Sequence, residues 1–143
     1  MAKHVSAADI GLDLSQGDDQ ALFKWFIASF LFGKRIQQNI AVQTYRVIIE
    51  QHQRDTPRKL GNCSHRELVR MLGEGGYARY DESTATRLLK LCTKLNDEYQ
   101  GKVSVIHQLS DNRADLEKRL NAFEGVGPKT VEIFMREAGP VWY

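Results

Sequence analysis

The sequence predicts an all-α fold, a single bundle of about six helices in which a glycine-rich hairpin joins two of the helices. Three observations carry that prediction. Apolar residues recur at helical spacing in six segments, and no Val/Ile/Thr-rich alternation bounded by tight turns competes with them. Helix starts and stops punctuate those segments, from Ser64 with Glu67 three residues on to Pro128 at the head of the final segment. The chain has 143 residues, 42% apolar and 27% charged, an ordinary composition for one domain around one core.

Residues 1–17 are polar and punctuated by glycine and read as a loose N-terminal arm; residues 18–143 form the helical domain. Asp18 or Asp19 caps a first helix carrying Leu22, Phe23, Phe26, Ile27, Phe30 and Leu31 at helical spacing, and Gly33 ends it. A second helix is expected from about Arg35 to Gln53, with Ile36, Ile40, Ala41, Tyr45, Ile48 and Ile49 inward. Thr56-Pro57 opens a short turn or helix. Ser64-His65-Arg66-Glu67 has the spacing of a capping box and starts a third helix that Gly73 stops. Asp81 caps a fourth, through Ala85, Leu88, Cys92, Leu95 and Tyr99, with Gly101 after its end. Ser110 or Asp111 caps a fifth, with Leu116, Leu120 and Phe123 on one face and Gly125 as its stop. Pro128 starts the sixth, through Val131, Phe134 and Met135.

Charge narrows the choice of partners only slightly. Twenty Lys and Arg against 18 Asp and Glu leave a net charge of +2, too mild to indicate a nucleic-acid partner by itself. Its distribution is uneven. Lys34, Arg35, Arg46, Arg54, Arg58 and Lys59 face only Glu50 and Asp55 between residues 34 and 59, whereas the first 20 residues set Lys3 against Asp9, Asp13, Asp18 and Asp19. Two solvated faces of opposite sign account for that pattern when it is taken alone. Cys63 and Cys92 form no Cys-x-x-Cys pair, which argues against zinc or iron–sulfur ligation and for a reduced compartment. No metal and no cofactor is expected. The apolar run from Leu22 to Phe32, interrupted by Lys24, is too short to span a bilayer, and no basic-then-apolar leader stands at the N-terminus; a cytoplasmic protein without a membrane partner is expected.

The segment Phe123-Glu124-Gly125-Val126-Gly127-Pro128-Lys129-Thr130 carries the functional information. Gly125 and Gly127 permit positive φ and leave the backbone bare, so a bulky phosphate can approach the amides. Pro128 fixes the first helical turn and gives up an amide the helix does not use. The N–H groups of Lys129 and Thr130 then point out of the helix start, at the positive end of its dipole. Lys129 adds a full charge, Thr130 a hydroxyl, and Val126 plugs the space between the two helices. A lone Gly-x-Gly is a turn between core helices. The combination specifies a helix-hairpin-helix motif that grips the DNA backbone, with little dependence on base sequence.

At these residues the chain resembles the helix-hairpin-helix DNA glycosylase superfamily, the endonuclease III-like proteins. The resemblance runs from the Phe23–Phe32 helix through Gly75-Gly76-Tyr77 and the Ala85–Leu95 helix to Gly125–Thr130, in the order of that family's six-helix barrel domain. It implies duplex DNA, damaged or abasic DNA included, as the partner. In the family, the barrel and a second helical domain enclose a cleft for a flipped-out base. The resemblance also implies a catalytic role for Lys129, whose amine would attack the sugar C1′ and form a Schiff base, as in the bifunctional members. Lys34 falls where family members carry a DNA-wedging glutamine; Lys34 and Arg35 either contact phosphate, with Arg79 extending the track, or are simply a solvated helix start. The chain departs from the family in several places. No aspartate follows Asp115, so the family's essential aspartate has no counterpart, and Glu132 and Glu137 are the only carboxylates beyond the hairpin. The iron–sulfur cysteines are absent, and no sequence here forms the partner domain. Glu124 stands where proline is usual and should weaken phosphate binding. The apolar ending Val141-Trp142-Tyr143 either docks on the bundle or belongs to a fragment of a longer glycosylase.

Three readings follow: a DNA-binding barrel without the full base-excision apparatus, a DNA glycosylase or abasic-site lyase using Lys129, and a protein-interaction module with an apolar patch at Trp25 or Trp142. The four histidines show no metal-ligand spacing; His107, beside Ile106 and Leu109, is expected to pack or cap. The aromatic run Phe23, Trp25, Phe26, Phe30 and Phe32 is expected in the core, with Trp25 or Phe32 available to line a groove. The oligomeric state and the lesion stay open at this level.

Overall fold

A helix that is apolar on every side has to be surrounded, and the first helix meets that condition. Helix α1 (Asp19–Phe32) buries Leu22, Phe23 and every residue from Trp25 to Leu31, so other elements must wrap around it. Its N-terminus is capped by Asp18, whose carboxylate accepts from Ala21 N–H. The computed structural model describes residues 4–143. Among these residues it contains eight α-helices and no strand. Helices α2 (Gln38–Arg46), α6 (Val103–Leu109) and α8 (Pro128–Trp142) pack directly on α1. Helix α5 (Asp81–Tyr99) packs against α3 (Pro57–Gly61) and α4 (His65–Glu74), and α7 (Arg113–Asn121) against α6 and α8.

The expected count of about six becomes eight for two reasons. Thr56 caps Lys59 N–H and Pro57 takes the first helical position, so the turn at 56–57 becomes the short helix α3. Helix α6 has no cap of its own; instead the Asp19 carboxylate on α1 accepts from both the backbone N–H and the hydroxyl of Ser104, at 2.8 and 3.0 Å. That cap comes from 85 residues away, which is why no local signal announces α6.

Several boundaries also shift. The expected second helix does not run unbroken from Arg35 to Gln53. It begins at Gln38, and after Arg46 it widens into a π-helical turn, Val47–Gln51, closed by His52 N–H donating to Val47 O at 2.9 Å. Gly73 lies inside α4, which Gly75 terminates, and the Ser64/Glu67 capping box is formed in both directions. Asp81 is the first residue of α5 rather than its cap; that place belongs to Tyr80 at φ +62°. Asn112, rather than Ser110 or Asp111, caps α7 by accepting from Asp115 N–H at 2.8 Å, and α7 ends at Asn121, well before Gly125.

Both ends of the described chain are held. The N-terminal segment is not loose from Ala7 onward. A single 3-10 turn covers Ala8–Ile10, Ala7, Ile10 and Leu14 are buried, and Ala7 N–H donates to the Glu137 carboxylate on α8 at 2.9 Å. At the other end Trp142 lies parallel to the His107 ring, centroids 4.9 Å apart, and tilted against Phe134 at 6.1 Å. Trp25 is completely buried and donates its indole N–H to Phe134 O at 3.2 Å, so it lines no groove and marks no contact patch.

Candidate nucleic-acid interface

The connection between α7 and α8 is shaped by what lies beneath it. Phe123 enters the core edge-on to Phe26, centroids 5.5 Å apart, and stacks on Tyr99 at 6.0 Å. Val126 N–H donates to Phe123 O at 3.0 Å, closing a tight turn, and the Val126 side chain is buried beneath it. Gly125, between them, has φ +86°. A Cβ there would sit 2.8 Å from Arg87 Cδ and 3.2 Å from Phe30 Cε2. Conformation and space therefore both require glycine at 125.

Gly127 serves differently from the sequence-based expectation. Its φ is −106° and ψ −177°, an extended conformation open to any residue, and no atom lies within 4 Å of where its Cβ would be. Bare, accessible backbone is what glycine contributes at this position. Gly127 is the N-cap of α8, Pro128 occupies the first turn, and no side chain caps the helix. By contrast α1, α3, α4 and α7 each have a side-chain acceptor at the N-terminus. The first-turn amides of the 15-residue α8 carry the positive end of its dipole beside exposed Pro128 and Lys129.

The expected site residues divide in the structure. Lys129 is exposed and makes no ion pair among the described residues. It lines a cavity of about 510 Å³ together with Phe32, Lys34, Ile36, Glu132 and Arg136. Thr130 is buried, and its hydroxyl faces Gly33, where a Cβ would collide with Thr130 Oγ1. The hydroxyl therefore points into the α1–α8 contact and is no surface ligand, which leaves Thr130 its backbone N–H alone. Lys34 turns inward as well. Its ammonium donates to Gly125 O at 2.8 Å and lies 4.2 Å from the centre of the Phe30 ring. Burial, and then the neighbouring Arg87 charge, hold the Lys34 pKa below the usual lysine value. Arg35 is exposed beside it, and Arg79 is exposed over the Tyr80 ring, 5.2 Å from its centre.

Two residues of α5 complete the surroundings. The exposed Arg87 rests its stem on Gly125. Lys90 pairs with Glu124 at 3.1 Å, drawing the carboxylate beside the turn toward α5. Neither was expected from the sequence, because α5 spacing alone does not reveal which of its faces meets residues 123–127. No protein-family model, characterised protein or solved structure matches this chain. Among the described residues no group of three or more His, Cys, Asp or Glu converges on a point that could hold a metal, and no helix is long and apolar enough to cross a membrane.

The surface around 125–129 thus combines first-turn amides without a side-chain acceptor, an exposed ammonium and two further cations, Lys34 and Arg87, that are in no ion pair among the described residues. Such a surface can bind an oxyanion approaching along the α8 axis.

Proposed function

We propose that this chain is a DNA-binding domain built on the plan of the helix-hairpin-helix glycosylase barrel, gripping the phosphodiester backbone of duplex DNA through residues 123–130. The supporting observation is the start of α8: Gly127 open to solvent, Pro128 at the first position, no side-chain cap, and Lys129 exposed next to them. A phosphate oxygen accepts from the Lys129 and Thr130 amides, the missing Cβ at 127 lets it approach, and the Lys129 ammonium neutralises it. None of these groups reads a base edge, so binding is nearly independent of sequence. Non-specific affinity of roughly 10⁻⁴ to 10⁻⁶ M at physiological salt is expected. Fluorescence anisotropy with a labelled duplex at several salt concentrations tests it. Affinity that ignores salt, or that survives Lys129→Ala unchanged, sinks the proposal.

A second reading, abasic-site lyase activity, is favoured by the cavity that Lys129 shares with Glu132 and Arg136. The unprotonated Lys129 amine adds to the C1′ aldehyde carbon of an abasic sugar, and loss of water gives an iminium. Glu132, one helical turn along and lining the same cavity, would be the carboxylate to steady that charge. Borohydride reduction traps the adduct on abasic DNA. Trapping that is lost in Lys129→Arg supports the reading; no adduct with folded protein removes it.

A further inference from the structure

We propose that Arg87, on α5, is a second phosphate-binding residue, which engages the backbone of the same strand next to the phosphate held at the start of α8. The inference rests on the DNA-backbone reading above and adds to it a residue from an element remote in sequence.

Three observations carry it. The Arg87 stem is the floor of the turn: its Cδ and Cβ lie 2.8 and 3.3 Å from where a Gly125 Cβ would be, so the side chain is packed where it leaves the helix while the residue as a whole stays exposed. Arg87 has no carboxylate partner among the described residues, although ion pairs stand nearby on the same helix at Lys90–Glu124 and Lys94–Glu98. The nearest carboxylate of the turn, Glu124, is held by Lys90. Arg87 also stands close enough to the Lys34 ammonium to oppose its charge, and Lys34 is tied to Gly125 O. Two cations, one from α5 and one from the connection after α1, therefore flank one turn, and neither is in an ion pair among the described residues.

Like charges gathered without a counter-charge raise the free energy of the unliganded surface, and a bound anion removes that cost. Guanidinium suits the task. It stays charged at any working pH, and its planar fork meets two oxygens of one phosphate. A phosphodiester backbone offers phosphates in sequence, so a cation beside the α8 start reaches the next one. A free inorganic phosphate would satisfy only one of the two positions.

The test compares the wild type with Arg87→Gln, Arg87→Lys and, as a control, Arg66→Gln, which removes an exposed cation on α4. Affinity for a labelled duplex is measured across salt concentrations, with thermal unfolding recorded for each variant. Arg87→Gln should weaken binding about 3- to 10-fold and reduce the slope of log K against log salt by about 0.9, one phosphate's share. Arg87→Lys keeps the slope, and Arg66→Gln matches the wild type. If wild type and Lys129→Ala differ as the DNA reading requires but folded Arg87→Gln keeps the wild-type slope, this inference alone is overturned. Should Arg87→Gln unfold, Arg87→Lys decides: a folded lysine variant with the slope reduced by one phosphate overturns the charge argument. Wild type that binds without salt dependence overturns both.

Discussion

The Lys34 ammonium donates a hydrogen bond to the carbonyl oxygen of Gly125, 2.8 Å away and 91 residues along the chain. It ties the end of α1 to the turn before α8. The lysine thereby helps to hold the turn from which α8 starts. Lys34→Met keeps the stem over Phe30 and removes the donor. The variant should lose about 1–2 kcal/mol, within the lower range for charged hydrogen bonds because the site is half-exposed. Urea unfolding measures it, and an unchanged midpoint would show that the bond contributes nothing.

The two glycines of the turn separate folding from binding. Gly125→Ala forces a side chain into φ +86° and against Arg87 and Phe30, and should cost roughly 2 kcal/mol or more. Gly127→Ala meets open space at φ −106° and should leave stability within about 0.5 kcal/mol of wild type. Its new methyl group stands where a phosphate would approach, so duplex affinity should fall several-fold. Equal stability losses in the two variants would contradict the geometry described here.

Thr130→Val addresses the buried hydroxyl. Because Thr130 Oγ1 faces Gly33 inside the α1–α8 contact, the substitution should leave duplex affinity within about twofold, far less than the effect of neutralising a phosphate contact. A loss matching that of Lys129→Ala would mean that the hydroxyl reaches the ligand after all.

Alkaline pH should destabilise the fold in a defined window. Burial, with a smaller contribution from Cys63, pushes the Cys92 thiol up to about 12, so the folded state holds it neutral. The associated stability is fully present below the ordinary thiol pKa near 9 and is lost as pH climbs toward 12. Burial raises the Tyr45 phenol too, and that group acts in the same direction above pH 10. Urea midpoints should be flat from pH 7 to about 8.5 and decline beyond it. Thiol reagents at pH 8 should modify Cys92 only as fast as the protein unfolds, and rapid native-state labelling would contradict its burial.

Local chemistry was readable and long-range chemistry was not. The Asp18 cap, the Ser64/Glu67 capping box and the Pro57 and Pro128 starts all depend on residues within a few positions of one another. Helix α6 escaped notice because its cap, Asp19, belongs to α1. The π-helical turn at 47–51 breaks a pattern of apolar residues that looks continuous in the sequence. At the candidate interface, the exposed position of Lys129 was foreseeable from its place at a helix start. The inward turn of Lys34, the burial of the Thr130 hydroxyl and the presence of Arg87 all depend on which helix faces which, and spacing along one helix does not encode that.

The hydrogen bond from Ala7 to Glu137 spans 130 residues. During synthesis at about 5–20 residues per second, Ala7 waits on the order of ten seconds before its acceptor exists. Over that interval α1, apolar all round, is already outside the ribosome while α8, which covers one side of it, is still unmade. A chain that ends before α8 therefore leaves bare the apolar side of α1 that α8 covers, and apolar surface of that kind is a hazard for aggregation.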